Sequence, residues 1–386
     1  MAVRLKDLYS CLDDFEIELV AGKNGLSRVI SWVHMVERAD ISQFLEGNEM
    51  TFTTGLGLNS EDELFDLVKL NYNNRACAMV INIGPYISKI TDDIKEFCND
   101  NAFPLFEVPW HVNMSNIMKV LCFRIRDFER EDMELIVAIK NAIFFPNMEE
   151  LYIPQMASKD FGVDWSYSIA IIDLHGKKDD MKIKRKSLIS KVDETCLFYY
   201  DRIMVFEVEE KIVMMFSQYT EIKVKSIIND IVKRHVSKVK DANWIIGIGQ
   251  ATKNIRCIYK SYKQAMSIIK LYSNRKCYNK ISAYRDLGLY KLLLSMNDKE
   301  IIKEYYSETL KKLDEYDSMN NTDFSDVLKI YLDNNGSVKD TAQILYVHRN
   351  TINYKIKRIE EVLGCNLSDL NTRIMYSVAY MLREIM

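Results

Sequence analysis

The sequence has few of the residues from which metal sites, disulfide frameworks and membrane spans are built. Its eight cysteines include no C-x-x-C pair and its five histidines are scattered, so neither zinc-site spacing nor a disulfide framework is present. No apolar run approaches the ~20 residues of a membrane span. Lys6 and Asp7 lie too close to the first residue for a signal peptide. We therefore expect a cytoplasmic protein with reduced thiols, no metal and no membrane partner.

Glycine patterns that hold phosphates are also missing. The sequence contains no Gly-Gly pair and no G-K-[ST] motif. His34 is flanked by Trp32, Val33 and Met35, a setting typical of a core histidine rather than of an acid or base. The sequence therefore predicts no catalytic residue and no cofactor.

Neither sign of charge dominates the 386 residues. The formal net charge is −3, with 52 Lys and Arg against 55 Asp and Glu, which excludes a generally basic nucleic-acid coat. A small basic patch can still attract a nucleic acid, because salt limits the range of electrostatic fields to about 10 Å. Local charge therefore matters more than the net charge. With 48% apolar residues, the chain is long enough for two or three globular domains.

The first block, to about residue 125, alternates short apolar runs with turn signals. The runs "AMVINIG" and "PLFEVPW" enclose Ile90, Ile94 and Phe97 at helical spacing. A strand, a helix and a second strand form a βαβ unit, which predicts a parallel sheet.

A long linker helix is predicted next. No Gly or Pro occurs from Ser115 to Phe145, and apolar residues recur there at roughly helical spacing. Such a stripe needs a partner to hide it from water, and we expect that partner to be a second chain.

The second block, about 151–283, mixes β-rich runs with polar helical segments. In "LFYYDRIMVFEVEEKIVMMFSQ" two β-rich runs flank Glu209 and Glu210, as in a hairpin. We expect a mixed α/β module with a mostly antiparallel sheet. From about residue 284 the pattern is helical throughout.

The helical block contains "SVKDTAQILYVHRNTINYKIKRIEEVLG" at 337–364, a pattern of two helices joined by a tight turn. Ser337 suits the cap of the first helix, with Asp340 three residues later. Ala342 is small enough for a close crossing, and the second helix begins near Arg349. That helix has one apolar side, formed by Ile352, Ile356, Ile359 and Leu363.

The opposite side of the second helix is cationic, since no carboxylate occurs from Arg349 to Arg358. Arginine suits the two acceptors of guanine and asparagine suits adenine, whereas lysine and tyrosine suit phosphates. We therefore expect contacts to double-stranded DNA from Ser337, Thr341, His348, Arg349, Asn350, Thr351, Asn353, Tyr354, Lys355, Lys357 and Arg358.

Two other interpretations of this helix stay open at this point. Residues 321–386 contain eight Lys and Arg and eight Asp and Glu, so the cationic side could be the solvated face of an ordinary bundle. It could also bind an acidic protein partner, as in an adaptor.

The segment "TAQILYVHRNTINYKIKRIEEVLG" resembles the helix-turn-helix of the PucR/CdaR family of bacterial transcription regulators, notably at 348–355. Lys355 stands where arginine is common, which keeps the charge and loses the bidentate fork. The resemblance implies docking in the major groove of DNA. We expect a homodimer, because one short reading helix rarely gives enough affinity.

The stretch "ISWVHMVERADISQFLEGNEMTFTTGLGL" resembles the PucR-type sensor domain of the same family, including Glu37 and the turn Thr53-Thr54-Gly55. This resemblance implies an unidentified small-molecule effector, often a purine-derived metabolite, that controls catabolic genes. Glu37, Thr53 and Thr54 are candidate ligand contacts. Equally, they could cap turns and satisfy backbone groups.

The stretch "IGIGQATKNIRCIYKSYKQAMSIIKL" resembles the end of the GGDEF-like domain of the family. A working diguanylate cyclase needs a Gly-Gly turn and paired carboxylates for a metal, whereas Asp173 is followed by Leu174 and His175. We expect a degenerate domain without catalysis. The rival hypothesis is a nucleotide cyclase-type enzyme with an accessory helical domain.

The predicted fold class is multidomain, α/β plus all-α. It comprises an N-terminal α/β sensor domain at 1–125, a linker helix at 126–150, a degenerate GGDEF-like α+β domain at 151–283 and a helical domain at 284–386, with the helix-turn-helix at 337–364. The expected function is ligand-responsive transcription regulation, and the protein is not expected to be an enzyme.

Overall fold

The computed structural model describes residues 3–12, 15–58, 60–159, 161–296 and 298–385. The chain forms two compact units, the first made of residues 1–243 and 251–262, and the second of residues 244–250 and 263–386.

The N-terminal part of the first unit is built on a parallel sheet. Its strands are β1 (Val3–Arg4), β2 (Glu18–Ala21), β3 (Val29–Ile30), β4 (Trp32–Met35), β5 (Glu49–Thr53), β6 (Ala78–Ile83) and β7 (Leu105–Pro109). Its helices are α1 (Leu5–Tyr9), α2 (Glu61–Asn73), α3 (Asp92–Asp100) and α4 (Met114–Phe144). Five strands form one sheet in the order β2-β7-β6-β5-β4, in which β2 alone runs antiparallel to its neighbour.

The predicted βαβ unit is confirmed. Strands β6 and β7 pair in parallel from Met79 opposite Leu105 to Ile83 opposite Pro109, and α3 connects them. Both strands are almost wholly buried, which explains their continuous apolar runs.

Helix α4 is long because nothing in its sequence interrupts it. The side chain of Asn113 caps its start by accepting from the backbone N–H of Ser115 at 2.9 Å. Its first half packs in the core of the sheet through Met114, Ile117, Leu121 and Ile125. The domain boundary predicted at residue 125 therefore falls inside α4. Phe123, Met133 and Val137 remain exposed on this helix, and the expected contact with a second chain stays a prediction.

The rest of the first unit contains α5 (Ile153–Ser158), β8 (Tyr167–His175), α6 (Lys178–Tyr199), β9 (Ile203–Val208), β10 (Lys211–Ser217) and α7 (Glu221–Arg234). Strand β10 pairs antiparallel with both β8 and β9. The predicted hairpin is present: Glu209 and Glu210 have φ of 47° and 62°, the left-handed backbone that a two-residue type I′ turn requires. The residues before it, as far as Tyr199, belong to α6.

The second unit contains two parallel strands and a run of helices. Strand β11 (Asn243–Ile248) pairs with β12 (Lys280–Ala283) from Ile245 to Ile248. Helix α8 (Ile258–Asn274) begins in the first unit and continues into the second at Lys263. The helices wholly within the second unit are α9 (Tyr290–Ser295), α10 (Lys299–Thr309), α11 (Lys311–Asn320), α12 (Phe324–Asp333), α13 (Val338–Ile344), α14 (Arg349–Leu363) and α15 (Leu370–Ile385). One apolar core joins α11, α12, α14 and α15, which makes this end of the chain a helical domain, as predicted.

Candidate nucleic-acid interface

Two capping devices set the start of α13. Asn335 and Gly336 adopt φ of 56° and 78°, the left-handed backbone that ends α12. The hydroxyl of Ser337 accepts from the backbone N–H of Asp340 at 3.2 Å, which satisfies one of the first free N–H groups of α13. The predicted cap is therefore present.

The turn between α13 and α14 is tight. The backbone N–H of Val347 donates to the carbonyl of Ala342 at 3.0 Å, and Ala342 is buried where the helices cross. Tyr346 occupies the turn with φ of 53°, a conformation uncommon for a bulky residue. His348 then caps α14, because its Nδ1 accepts from the backbone N–H of Asn350 at 3.3 Å.

The apolar side of α14 is buried as its periodicity predicts. Ile352, Ile356 and Ile359 are buried, and Leu363 is half-buried against the same core. Gly364, with φ of 68°, ends the helix. Because this apolar side is buried, only the opposite side of α14 can contact a partner.

The opposite side of α14 is open to solvent. Exposed residues along it are Arg349, Asn350, Thr351, Asn353, Tyr354 and Lys357. Tyr354 exposes 64% of its surface. In the part of the chain that the structure describes, the side chains of Arg349 and Lys357 have no ion pair. These groups are available to a nucleic acid without breaking an internal bond.

Two cations of the predicted set are engaged within the domain. Lys355 Nζ donates to both carboxylate oxygens of Asp323 at 2.6 Å, which ties α14 to the start of α12. Arg358 Nη1 donates to Glu361 Oε2 at 2.5 Å, and its Nη2 donates to the hydroxyl of Tyr316 at 3.4 Å. Neither is a free phosphate contact in this conformation.

Thr341 requires a correction. Its side chain is completely buried, and its hydroxyl donates to the backbone carbonyl of Ser337 at 2.7 Å. It supports the first turn of α13 from inside and does not reach the surface where DNA would lie. Ser337 itself is half-buried.

The turn also carries exposed residues that were not in the predicted set. Tyr346 is 96% exposed at the turn, Ile344 and Val347 are exposed beside it, and Gln343 is exposed on α13. An aromatic residue in a tight turn is the signal that sequence reasoning could have used for Tyr346, because turns usually lie on the surface.

The candidate ligand residues of the N-terminal domain are bonded to one another. Thr53 Oγ1 donates to Glu37 Oε2 at 3.0 Å, and Thr54 Oγ1 donates to Oε1 at 2.8 Å. The backbone N–H groups of Thr54 and Gly55 donate to the same carboxylate. A carboxylate has about four acceptor positions, and these four donors occupy them. The geometry matches the turn-capping alternative and leaves Glu37 without capacity for a ligand.

Asp173 lies on β8 beside a histidine and a lysine. His175 Nε2 is 3.3 Å and Lys211 Nζ is 3.9 Å from Asp173 Oδ2. Burial raises the pKa of Asp173, and Lys211 and His175 oppose that shift. Among the described residues, no group of three or more His, Cys, Asp and Glu is arranged to hold a metal ion.

The described helices include none that combines the length and the apolar content needed to cross a bilayer.

Two segments of the chain match known families. Residues 324–382 match the PucR C-terminal helix-turn-helix domain, and residues 10–125 match the Purine catabolism regulatory protein-like family. The C-terminal surface and this match define a helix-turn-helix protein. More particularly, the N-terminal and C-terminal segments each match a domain of PucR-type regulators, as the sequence resemblance indicates.

The names of three similar proteins describe them as activators or regulatory proteins. The chain is 31% identical over 189 residues to "Proline-responsive transcriptional activator PutR" of Bacillus subtilis (strain 168), covering 47% of this chain and 45% of the relative. It is 22% identical over 224 residues to "DNA-binding transcriptional activator AdeR" of the same organism, covering 57% and 52%. It is 32% identical over 117 residues to "Purine catabolism regulatory protein", also of Bacillus subtilis (strain 168), covering 30% and 22%.

The chain thus spans about half the length, or less, of the curated relatives it matches. A solved structure, "Crystal Structure of Regulator of Polyketide Synthase Expression from Bifidobacterium adolescentis", is 14% identical with a TM-score of 0.27, covering 64% of this chain and 95% of that chain.

Proposed function

We propose that this protein is a ligand-responsive transcription regulator of catabolic genes, which binds double-stranded DNA through the exposed side of α14. The observation that carries the proposal is the division of α14 into two sides. Ile352, Ile356 and Ile359 are buried, whereas Arg349 and Lys357 face solvent without an ion pair among the described residues. The names of the relatives support the same function.

The residues of α14 divide by their place along the helix. Arg349 and Asn350 are at its start, where helix-turn-helix proteins contact base edges, and both suit bidentate readout. Asn353, Tyr354 and Lys357 lie one to two turns further on, where they suit phosphate oxygens.

Three of the remaining members of the set hold the helix-turn-helix in place. His348 and Ser337 cap the two helices, and the Lys355 ion pair with Asp323 fixes α14 on α12. Thr351 is exposed beside Asn350 and can donate a hydroxyl to a phosphate.

We propose that the protein acts as a homodimer. A single α14 offers few direct contacts, whereas two copies bind half-sites about 34–36 Å apart on the duplex. The exposed Met133 and Val137, four residues apart on α4, are the apolar surface suited to pairing. Sedimentation of the Met133→Glu/Val137→Glu variant tests this: the proposal expects monomers, and an unchanged dimer contradicts it.

The middle segment, 151–283, is proposed to be a degenerate GGDEF-like domain. The order β8, α6, the hairpin β9–β10 and α7 supports this fold. Asp173 lies beside Lys211 and His175, and burial and the nearby Glu210 raise its pKa. Since no group of three or more His, Cys, Asp and Glu among the described residues is arranged to hold a metal ion, this is poor support for metal-dependent catalysis. Incubation with GTP and magnesium should yield no cyclic dinucleotide, and its accumulation would favour the cyclase hypothesis.

The effector is proposed to be a small metabolite, with purine breakdown products and amino acids as the first to screen because of the names of the relatives. Glu37 is not expected to bind it, since the TTG turn occupies the carboxylate.

Selection of bound duplexes from a random pool, followed by footprinting, tests the DNA-binding proposal. The full-length protein should enrich a sequence with two repeated half-sites. A pool that stays random after several rounds, at low salt where backbone contacts are strongest, contradicts it.

A further inference from the structure

A cleft beside α6 in the first unit collects positive charge. It has a volume of about 310 Å³ and lies between α6 and the segment that follows α7. Its cationic lining consists of Lys184, Lys191, Arg234, Lys238 and Lys240. None of the described residues that line it is a carboxylate, although the whole chain has a net charge of −3. We refer to it as the α6–α7 cleft.

Few of these charges are neutralised internally. Arg234 pairs with Asp230 at 2.8 Å, and Lys184 is 3.9 Å from Asp180. For Lys191, Lys238 and Lys240, the described part of the chain offers no carboxylate within ion-pair distance. Like charges that converge in a concave site repel one another, and a bound anion relieves that repulsion.

His235 also lines the cleft, and the same positive charges act on it. Its Nε2 is 2.7 Å from the hydroxyl of Thr195. Burial lowers the pKa of His235, and Lys238, Lys191 and Arg234 lower it further. The lysines are therefore close enough to disfavour a further positive charge there.

The lining of the cleft also includes apolar side chains. Ile183, Leu188 and Val239 line it together with the cations, and Ile183 is 73% exposed. Arg234 is held in position, since its guanidinium lies 4.6 Å from the ring centre of Tyr199. A ligand with several negative charges and an apolar body would use both parts of this surface.

We propose that the α6–α7 cleft binds a small polyanion of the polyphosphate class, such as a nucleoside di- or triphosphate. The volume lies at the lower end of the range of small-molecule sites, about 300–1,000 Å³. Several unpaired cations favour several anionic groups over a single carboxylate. A DNA duplex is a less suitable occupant, because its phosphates follow a convex rod and these cations line a concavity. The inference is independent of DNA binding by α14.

Calorimetric titration of the full-length protein with ATP, GTP and tripolyphosphate tests the proposal. The Lys191→Gln/Lys238→Gln variant removes two exposed charges and should weaken binding about tenfold or more, equivalent to about 1.4 kcal/mol. The control Lys182→Gln/Lys223→Gln removes two charges from α6 and α7 outside the cleft and should bind as the wild type does. Thermal melting of both variants verifies that each is folded.

The probes distinguish the source of the negative charge. Equal affinity for tripolyphosphate and ATP supports a site for phosphate groups alone, whereas tighter ATP binding adds a contribution from the apolar lining residues. The proposal is overturned if no probe binds or if both double variants weaken binding alike.

Discussion

Lys355 Nζ lies 2.6 Å from both carboxylate oxygens of Asp323. The bond joins the middle of the candidate reading helix, α14, to the residue that precedes α12. A lysine expected from the sequence to contact phosphate therefore positions the helix that carries the other contacts.

The first prediction concerns this pair. Lys355→Gln and Asp323→Asn should each lower the free energy of unfolding by up to about 1 kcal/mol, because the pair is partly exposed. The loss in the double variant should be less than the sum of the two. Chemical denaturation measures all three. If Lys355→Gln leaves stability unchanged but weakens DNA binding to every sequence, Lys355 is a phosphate contact after all.

The second prediction concerns Lys357, which is exposed on α14. Lys357→Ala should weaken binding to preferred and random duplexes by similar factors. It should also reduce the slope of log K against log salt by about 1, since one fewer counterion is released. Fluorescence anisotropy at several salt concentrations measures both. Lys312→Ala, an exposed change on α11, is the control, and an equal effect there would remove Lys357 from the interface.

The third prediction concerns Glu37. Glu37→Ala removes the acceptor of the Thr53 and Thr54 hydroxyls and of the Thr54 backbone N–H, whereas the Gly55 N–H keeps Thr53 Oγ1 as an acceptor. The cost should be on the order of 1–3 kcal/mol of unfolding free energy, measured by urea denaturation. Glu46→Gln, at an exposed position nearby, should change stability by less than about 0.5 kcal/mol. If Glu37→Ala keeps the stability of the wild type but no longer responds to the effector, Glu37 is a ligand contact and the turn-capping assignment is contradicted.

The fourth prediction concerns pH. Burial raises the pKa of Asp193 to about 7 and that of Asp132 to about 6. At pH values between the ordinary aspartate pKa and these values, Asp193 and Asp132 hold more protons in the folded protein than in the unfolded chain, so their contribution to stability falls as pH rises from about 4 to about 7. His235, whose pKa is lowered, contributes with the opposite sign. Asp193→Asn carries no charge and should flatten that fall.

Urea denaturation at pH 5 and pH 8 checks the sign. The stability of Asp193→Asn relative to the wild type should rise from pH 5 to pH 8, because the variant lacks the contribution that falls over this range. Asp62→Asn, exposed on α2, should keep the wild-type pH dependence. A difference between Asp193→Asn and the wild type that is the same at both pH values would contradict the assignment.

Features fixed by local sequence were predictable. The cap of Ser337, the turn at Asn335 and Gly336 and the buried isoleucines of α14 depend on residues within a few positions of one another. Periodicity and capping chemistry describe such neighbours well. The βαβ unit followed in the same way.

Features that depend on distant residues were not predictable. Asp323 reaches Lys355 across 32 positions, and no local pattern marks either as a pair. Thr341 looks like a surface threonine, yet its hydroxyl is satisfied by the carbonyl of Ser337 and the side chain can be buried. The cations of the α6–α7 cleft likewise come together only because α6 packs beside the segment after α7.

The most direct test of DNA reading compares Arg349→Ala and Asn350→Ala on the selected duplex and on a scrambled one. Each variant should lose about 1–3 kcal/mol of binding free energy on the selected site and little on the scrambled one. Equal affinity of the wild type and both variants for the selected site would contradict the account.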